Sequence, residues 1–120
     1  MNTLDLFRNE VDMEKYTAGK VIFEEGEPAK KMYVIKDGNV DIKVGDKTIM
    51  SIGPGDLLGE MALIDTSSRS ATAVASTDSQ LIPIDEKRFT FLVQQTPFFA
   101  LHVMRILVER LRKMNKVISV

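Results

Sequence analysis

The chain has 120 residues, of which 16 are basic and 17 acidic, so its net charge is −1 at neutral pH. We expect one domain over residues 1–120, because this length supports a single core but not a sensor plus a catalytic unit. The balanced charge argues against nucleic acid as a direct partner, since binding to a phosphate backbone depends on a basic surface.

The absence of cysteine excludes disulfides, thiolate nucleophiles and Cys-based metal sites, and it suits a reducing compartment. The first residues lack the basic end and apolar core of a signal peptide. No run approaches the roughly 18 apolar residues of a membrane span. These features predict a cytoplasmic chain with no membrane partner.

The N-terminal segment, residues 1–16, is predicted to be helical. Leu4, Leu6, Phe7 and Val11 have a helical spacing, which indicates a short amphipathic helix over residues 3–13. We expect this helix to pack beside the main body.

Residues 17–85 have the pattern of a β domain. Short apolar runs separated by turn residues predict strands at Val21–Phe23, Met32–Ile35, Val40–Val44, Thr48–Ile52, Ala71–Ala75 and Leu81–Ile84. Asp37-Gly38 and Gly45-Asp46 are predicted hairpin turns. All seven glycines lie between residues 19 and 59, within this region. The pattern favours an α+β fold that is mainly β, an antiparallel β-roll of jelly-roll type with helices at its ends.

Residues 86–120 return to a helical pattern. Asp85 is a predicted N-cap, and Thr96-Pro97 supplies a cap followed by proline at the first position of a second helix over residues 98–117. Its apolar stripe is Met104, Leu107, Val108, Leu111, Met114 and Ile118. Its polar side carries Arg105, Glu109, Arg110, Arg112, Lys113 and Lys116, which we interpret as a solvated helical face.

Residues 58–71 combine groups suited to an anionic sugar phosphate. Gly59 allows backbone to approach a ligand closely, the Glu60 carboxylate accepts hydrogen bonds from sugar hydroxyls, and Arg69 can hold a phosphate through two parallel N–H donors. Residues 61–64 are predicted to form one helical turn whose free N–H groups point at the same anion. The 65–68 loop between them is polar.

This segment resembles the phosphate-binding cassette of the cyclic nucleotide-binding domain family, of the catabolite activator and protein kinase A regulatory subunit type. Gly59, Glu60, Ala62, Leu63, Arg69 and Ala71 are in register with that motif. The upstream segments 19–27, 32–40 and 52–56 resemble the family's strands and turns, so the resemblance covers residues 17–118. Two departures, Leu58 for the usual aromatic residue and Ser68 for the usual proline, affect loop shape.

The resemblance implies a regulatory sensor that binds a cyclic nucleotide, cAMP or alternatively cGMP, without catalytic cofactor or metal. Glu60 would hold the ribose 2′-hydroxyl and Arg69 the cyclic phosphate. The implied site residues are Gly59, Glu60, Met61, Ala62, Arg69, Ser70 and Ala71. Binding would move the C-terminal helices, with output through an effector protein or a homodimer formed by the last helix.

Several alternatives stay open at this point. Glu60 and Arg69 could be an ion pair that shapes a loop, and the chain could be a docking or dimerisation module with a vestigial pocket. Ser70 could bind phosphate, contact the purine edge or simply begin a strand, and Met114 and Asn115 fall near where related sensors meet the base. An enzyme is disfavoured, because the segment lacks an evident nucleophile, base or metal and His102, the only histidine, is remote from it.

Overall fold

The computed structural model describes residues 3–64 and 68–114, except for the side chains of Ala62, Ile64 and Met114. One short helix precedes the strands, a second lies between the sixth and seventh strands, and two helices follow the last strand. In chain order they are α1 Thr3–Leu6, β1 Glu14–Tyr16, β2 Val21–Phe23, β3 Lys31–Asp37, β4 Val40–Val44, β5 Lys47–Ile52, β6 Leu57–Leu58, α2 Met61–Ile64, β7 Thr72–Ala75, β8 Ser79–Asp85, α3 Glu86–Gln95 and α4 Pro97–Met114.

The strands form two four-stranded antiparallel sheets with the orders β1-β8-β3-β6 and β2-β7-β4-β5. Apart from the β4–β5 hairpin, strands that neighbour each other in space come from distant parts of the sequence, as the pairing of Val34 with Ile82 shows. This arrangement, with helices after the last strand, confirms the predicted antiparallel β-roll.

Strand β3 separates two apolar clusters, because successive side chains of a strand point to opposite faces. Met32 and Val34 belong to the first cluster, between the sheet and the helices. Tyr33 and Ile35 belong to the second cluster, between the two sheets. All four side chains are buried, which is why this strand reads as a continuous apolar run.

The C-terminal helices close the first cluster. The Asp85 carboxylate accepts a hydrogen bond from the Arg88 backbone N–H at 2.8 Å, which confirms the predicted cap of α3. Thr96 ends α3, and α4 begins at Pro97. Phe99 is fully buried, and its ring lies edge-on to Phe7 and Phe89 at 6.5 Å and 5.7 Å between centroids. The predicted end of this helix and residues 65–67 lie outside the described residues.

The N-terminal segment differs from the prediction. Helix α1 ends at Leu6 instead of continuing to residue 13, and Val11 is 90 % exposed instead of facing the core. Phe7 is buried in the first cluster, and the chain turns there through a backbone bond from Glu10 to its carbonyl. Residues 14–16 then pair with β8 as strand β1, so the 1–16 segment is only partly helical. Two of the three residues of this edge strand, Glu14 and Lys15, are charged, so the strand has no apolar pattern by which the sequence could predict it.

One predicted turn was also wrong. Val44 pairs with Lys47 across Gly45-Asp46, which confirms that hairpin. Asp37-Gly38, by contrast, carries the chain from one sheet to the other, since β3 and β4 do not pair. A Cβ at Gly38, where φ is +92°, would collide with Ser79, so the close passage requires glycine. Strand β6, of two residues, was not predicted.

No single described helix is long and apolar enough to cross a bilayer. Helices α3 and α4 have that length and composition only when taken together, and they meet at a bend of 115°.

Candidate functional site

A cavity of about 400 Å³ opens between the cassette and the β2-β7-β4-β5 sheet, beside the second apolar cluster. The cassette supplies one wall, and the β4–β5 hairpin supplies another. The lining residues are Phe23, Ala29, Ile42, Val44, Ile49, Leu58, Gly59, Glu60, Met61, Ser68, Arg69, Ser70 and Ala71. Every predicted site residue except Ala62, whose side chain lies outside the described part, therefore lines one cavity.

Arg69 is held in this wall by backbone on three sides. Its main-chain N–H donates to the Glu27 carbonyl at 2.9 Å, and its own carbonyl accepts from Gly26 at 2.8 Å. Its guanidinium donates to the carbonyls of Lys31 at 2.7 Å and Gly59 at 3.3 Å, and lies 4.0 Å from the centroid of the Phe23 ring. These contacts, all within the protein, hold the side chain in place.

The charge of Arg69 is buried without a direct counter-ion in the described part of the chain. The residue is 8 % exposed, and its hydrogen-bond acceptors there are carbonyl oxygens. Burial lowers the pKa of the guanidinium, while the nearby Tyr33, Glu27 and Glu60 act in the opposite direction. A buried cation is costly unless an anion compensates it, so this wall is suited to receive one.

Gly59 makes the position of Arg69 possible. Its φ is +73°, a left-handed conformation that favours glycine, and a Cβ there would collide with the Arg69 guanidinium. The sequence predicted that Gly59 allows close approach of a ligand. In the structure, the group that approaches it most closely is the arginine side chain itself.

Glu60 is buried and is paired with a residue of α4. Its Oε1 accepts a hydrogen bond from Arg110 Nη1 at 2.7 Å, and the same guanidinium donates to the Leu57 carbonyl at 2.5 Å. The two side chains are 8 % and 17 % exposed, respectively. The ion pair therefore joins the cavity wall directly to the C-terminal helix.

Arg110 is the functional residue that sequence analysis missed. It was assigned to the solvated polar face of the last helix, and for this residue the assignment was wrong. Fifty positions separate it from Glu60, so no local spacing links them. The alternative of a direct Glu60–Arg69 ion pair is also not what the structure shows, since the arginine bound to Glu60 is Arg110.

The remaining predicted site residues lie around the mouth of the cavity. Met61 is 50 % exposed at the start of α2, Ser70 is exposed beside Arg69, and Ala71 is partly buried next to β7. Residues 61–64 form the predicted helical turn. Leu58, which replaces the family's aromatic residue, is buried in the second cluster and also lines the cavity.

A polar cluster supports the strand that carries one of the Arg69 partners. Glu14 accepts hydrogen bonds from Lys31 at 2.7 Å and from the Tyr16 hydroxyl at 2.6 Å. Burial acts to raise the pKa of Glu14, but these two hydrogen bonds outweigh it and hold the pKa below its usual value of 4.5. The cluster holds Lys31 in place, and the carbonyl oxygen of Lys31 accepts the hydrogen bond from the Arg69 guanidinium.

The single histidine and the possibility of a metal site remain to be placed. His102 contacts Thr3 between α4 and α1, as expected for a packed helical histidine. Within residues 3–64 and 68–114, no group of three His, Cys, Asp or Glu residues could hold a metal ion.

The family model of the cyclic nucleotide-binding domain matches residues 13–96, which include both sheets and the whole cassette. The chain belongs to the cyclic nucleotide-binding domain family. The resemblance inferred from residues 58–71 is therefore confirmed.

A curated relative of this domain is the cyclic AMP receptor protein of Thermus thermophilus. It is 32 % identical over 115 residues, which cover 92 % of this chain and 53 % of the relative. The crystal structure of the catabolite activator protein of T. thermophilus superposes with a TM-score of 0.80 at 31 % identity, covering 94 % of this chain and 55 % of that one. The chain thus spans about half the length of these relatives.

A second solved structure matches over nearly its full length. It comes from work on a cyclic-GMP-dependent signalling pathway that regulates bacterial phytopathogenesis. Its TM-score is 0.78 at 32 % identity, and the match covers 92 % of this chain and 91 % of that one. The domain is thus similar to a protein named for cyclic AMP and to one described in connection with a cyclic-GMP-dependent pathway.

Proposed function

We propose that this chain is a single regulatory domain over residues 1–120 that binds a cyclic nucleotide, cAMP or cGMP, in the cavity beside its cassette. The observation that carries the proposal is Arg69, a buried cation on the cavity wall whose hydrogen-bond partners in the described residues are carbonyl oxygens. An anionic phosphate would supply the missing charge. Because the chain belongs to the cyclic nucleotide-binding domain family, we propose that this anion is the phosphate of a cyclic nucleotide.

The remaining groups fit the parts of that ligand. Arg69 would bind the cyclic phosphate, with Ser70 beside it as a hydroxyl donor. Glu60 has one oxygen bound to Arg110 and retains acceptor capacity for the ribose 2′-hydroxyl. Gly59, Met61, Ala62 and Ala71 would complete the cassette. These are groups that bind, and one relative is named as a receptor, so we propose a sensor without catalytic activity.

Calorimetric titration with cAMP tests the assignment of Arg69. Arg69→Ala should weaken binding by at least about thirtyfold, because it removes charge-assisted hydrogen bonds to a desolvated anion. Arg69→Lys should retain part of the affinity, since it keeps the charge and loses the bidentate geometry. Arg8→Ala is the matched control, as this arginine has a side chain 74 % exposed on the N-terminal segment.

Circular dichroism should show that each variant is folded. If Arg69→Ala binds cAMP as tightly as the parent protein, the site is assigned to the wrong residue. If the folded parent binds neither cAMP nor cGMP, the pocket is vestigial and the alternative of a docking or dimerisation module takes its place.

We propose that the signal leaves the site through the Glu60–Arg110 pair. A ribose hydroxyl that binds Glu60 changes the environment of the carboxylate that holds α4, so ligand binding favours a different position of that helix. The same helix carries a row of exposed apolar side chains at helical spacing, Leu101, Met104, Val108 and Leu111. An effector protein or a second copy of the chain would bind to this row.

Hydrogen exchange tests this route. In the parent, cAMP should change the protection of the last turns of α4. In Arg110→Ala the change should be smaller although cAMP still binds. Arg105→Ala, an exposed arginine on the same helix, is the control and should behave as the parent. A full ligand effect in Arg110→Ala would show that the signal takes another path.

A further inference from the structure

The aromatic ring of Phe23 lies against the charge of Arg69. The Arg69 Cζ is 4.0 Å from the centroid of the ring, within the range of a cation–π interaction. Phe23 ends β2, is 8 % exposed and is, within the described residues, the only aromatic side chain that lines the cavity. The buried cation of the proposed phosphate site therefore rests on an aromatic surface.

An irregularity in β2 brings this ring into the cavity. Val21 pairs with Val74, whereas Phe23 pairs with the adjacent Ala73, so Ile22 is an extra residue in the strand. Such a bulge interrupts the regular alternation of side chains, and Val21 is accordingly 41 % exposed while Phe23 is buried. The partner Ala73 is fully buried and has a small side chain, which leaves room for the ring beside it.

Backbone hydrogen bonds set the distance between the ring and the arginine. A few residues after Phe23, the Gly26 N–H donates to the Arg69 carbonyl at 2.8 Å, and the Arg69 N–H donates to the Glu27 carbonyl at 2.9 Å. Gly59 lies so close that a Cβ there would collide with the guanidinium and also touch the ring. The guanidinium is thus confined by main chain and by the ring together.

Two nearby carboxylates offer the guanidinium another position. Burial lowers the pKa of Arg69, and Glu27 and Glu60 are among the groups that oppose this shift, yet its acceptors in the described residues are carbonyl oxygens. A guanidinium that turned toward either carboxylate would form an internal ion pair. That pair would compete with a phosphate for the same N–H donors. The attraction of the ring for the cation favours the observed position instead.

We propose that Phe23 is a positioning residue for phosphate binding, whose ring holds the Arg69 guanidinium in place for the anion and away from Glu27 and Glu60. This step rests on the proposed function. A binding group that is correctly placed for only a fraction of the time lowers the apparent affinity by that fraction. The ring therefore raises affinity by preorganisation, because the arginine does not have to be recruited from an internal ion pair when the ligand arrives.

Calorimetric titration of the full chain with the nucleotide that the parent binds, cAMP or cGMP, tests this role. Phe23→Leu removes the ring but keeps an apolar side chain, and it should weaken binding by about three- to tenfold, the range of a desolvated cation–π interaction. Trifluorophenylalanine at position 23 keeps the shape of the ring but removes the negative potential of its face. It should weaken binding by about threefold, with monofluorophenylalanine in between. A ring that only filled space would not give this graded response.

The same replacements at Phe91 are the matched control, since that ring is 58 % exposed on α3 and does not line the cavity. They should leave binding unchanged. If Phe23→Leu does not fold, the fluorinated variants decide the question, because they preserve the shape of the core. Trifluorophenylalanine at position 23 that binds as tightly as the parent, while Arg69→Ala still weakens binding, would overturn the inference and leave the proposed function standing. Failure of the parent to bind either nucleotide would overturn the proposed function, and with it this role of Phe23.

Discussion

The two halves of α4 are held in different ways. In the first half, Phe99 and Val103 are 0 % and 3 % exposed and lie in the apolar cluster between the sheet and the helices. In the second half, Ile106 and Leu107 still contact this cluster, but no side chain there is fully buried within the described residues. Val108 and Leu111 are 45 % and 57 % exposed, and Arg110 is paired with Glu60 of the cavity wall. The same helix is therefore anchored by apolar burial at one end and by a polar clamp at the other.

This difference indicates which half can respond to a ligand. Apolar burial, worth roughly 25 cal/mol per Å², keeps the first half in place whatever the cavity contains. The second half depends on a carboxylate that is itself a wall of the cavity. Elements with little apolar burial lie at the low-stability end of a fold, from which moving parts are drawn. The comparison makes the following predictions, from the largest effect to the smallest.

The first half should be sensitive to truncation. Phe99→Ala should lower the free energy of unfolding by about 3–5 kcal/mol, because it leaves a cavity among Phe7, Phe89 and their neighbours. The adjacent Phe98→Ala is the control. That ring is 68 % exposed, so the expected change is within about 0.5 kcal/mol. Urea denaturation measures both changes in unfolding free energy. Equal losses for the two variants would show that burial of Phe99 does not anchor the first half of α4.

The clamp should matter less than the anchor but still measurably. Arg110→Ala should cost about 2 kcal/mol of unfolding free energy, since it leaves the buried Glu60 carboxylate without its partner. Arg112→Ala, an exposed arginine two residues away, should cost little.

A double-mutant cycle with Glu60→Gln isolates the clamp. If Arg110 and Glu60 act as a pair, the double variant should lose less stability than the two single variants predict, with a coupling of about 1 kcal/mol or more. Additive losses would mean that the second half of α4 is held by something other than this pair.

His102 gives the first half of α4 a pH dependence. Burial lowers the pKa of His102 below its usual 6.5, with Arg105 acting in the same direction and Glu109 against it. The unfolded chain therefore binds a proton more readily, so this contribution to stability is complete above pH 6.5 and is lost as the pH falls through the lower folded value.

Thermal unfolding of the parent and of His102→Asn at pH 7 and pH 5 measures the effect. The parent should lose more stability than the variant on acidification, and by less than the effect of Arg110→Ala. An identical loss in both proteins would show that the contact of His102 with Thr3 does not depend on protonation.

The smallest effect is expected for the exposed row of the second half. Leu111→Ala should change the unfolding free energy of an isolated chain by less than about 0.5 kcal/mol, because the side chain is already largely in water. Analytical ultracentrifugation over a range of concentrations gives the oligomeric state. A loss of stability that grows with protein concentration would identify a second copy of the chain as the partner of this row.

The sequence by itself determined the elements whose signals are local. Alternating apolar residues marked β4, Asp85 marked the start of α3, and Gly45-Asp46 marked a hairpin, because each signal involves residues within a few positions of one another. The cassette could be recognised in the same way, since Gly59, Glu60 and Arg69 lie in one short segment. From these local features, the β-roll and the family were predicted and then confirmed.

Only the tertiary structure decided how distant segments meet. The pairing of Glu60 with Arg110, the edge strand at residues 14–16 and the passage of Gly38 beside Ser79 join residues tens of positions apart. Strand and helix periodicity specifies which face of an element is apolar, but not which element covers it. The sequence predicted α4 but not its contact with Glu60, because that contact exists only once the roll has closed and α4 lies across it.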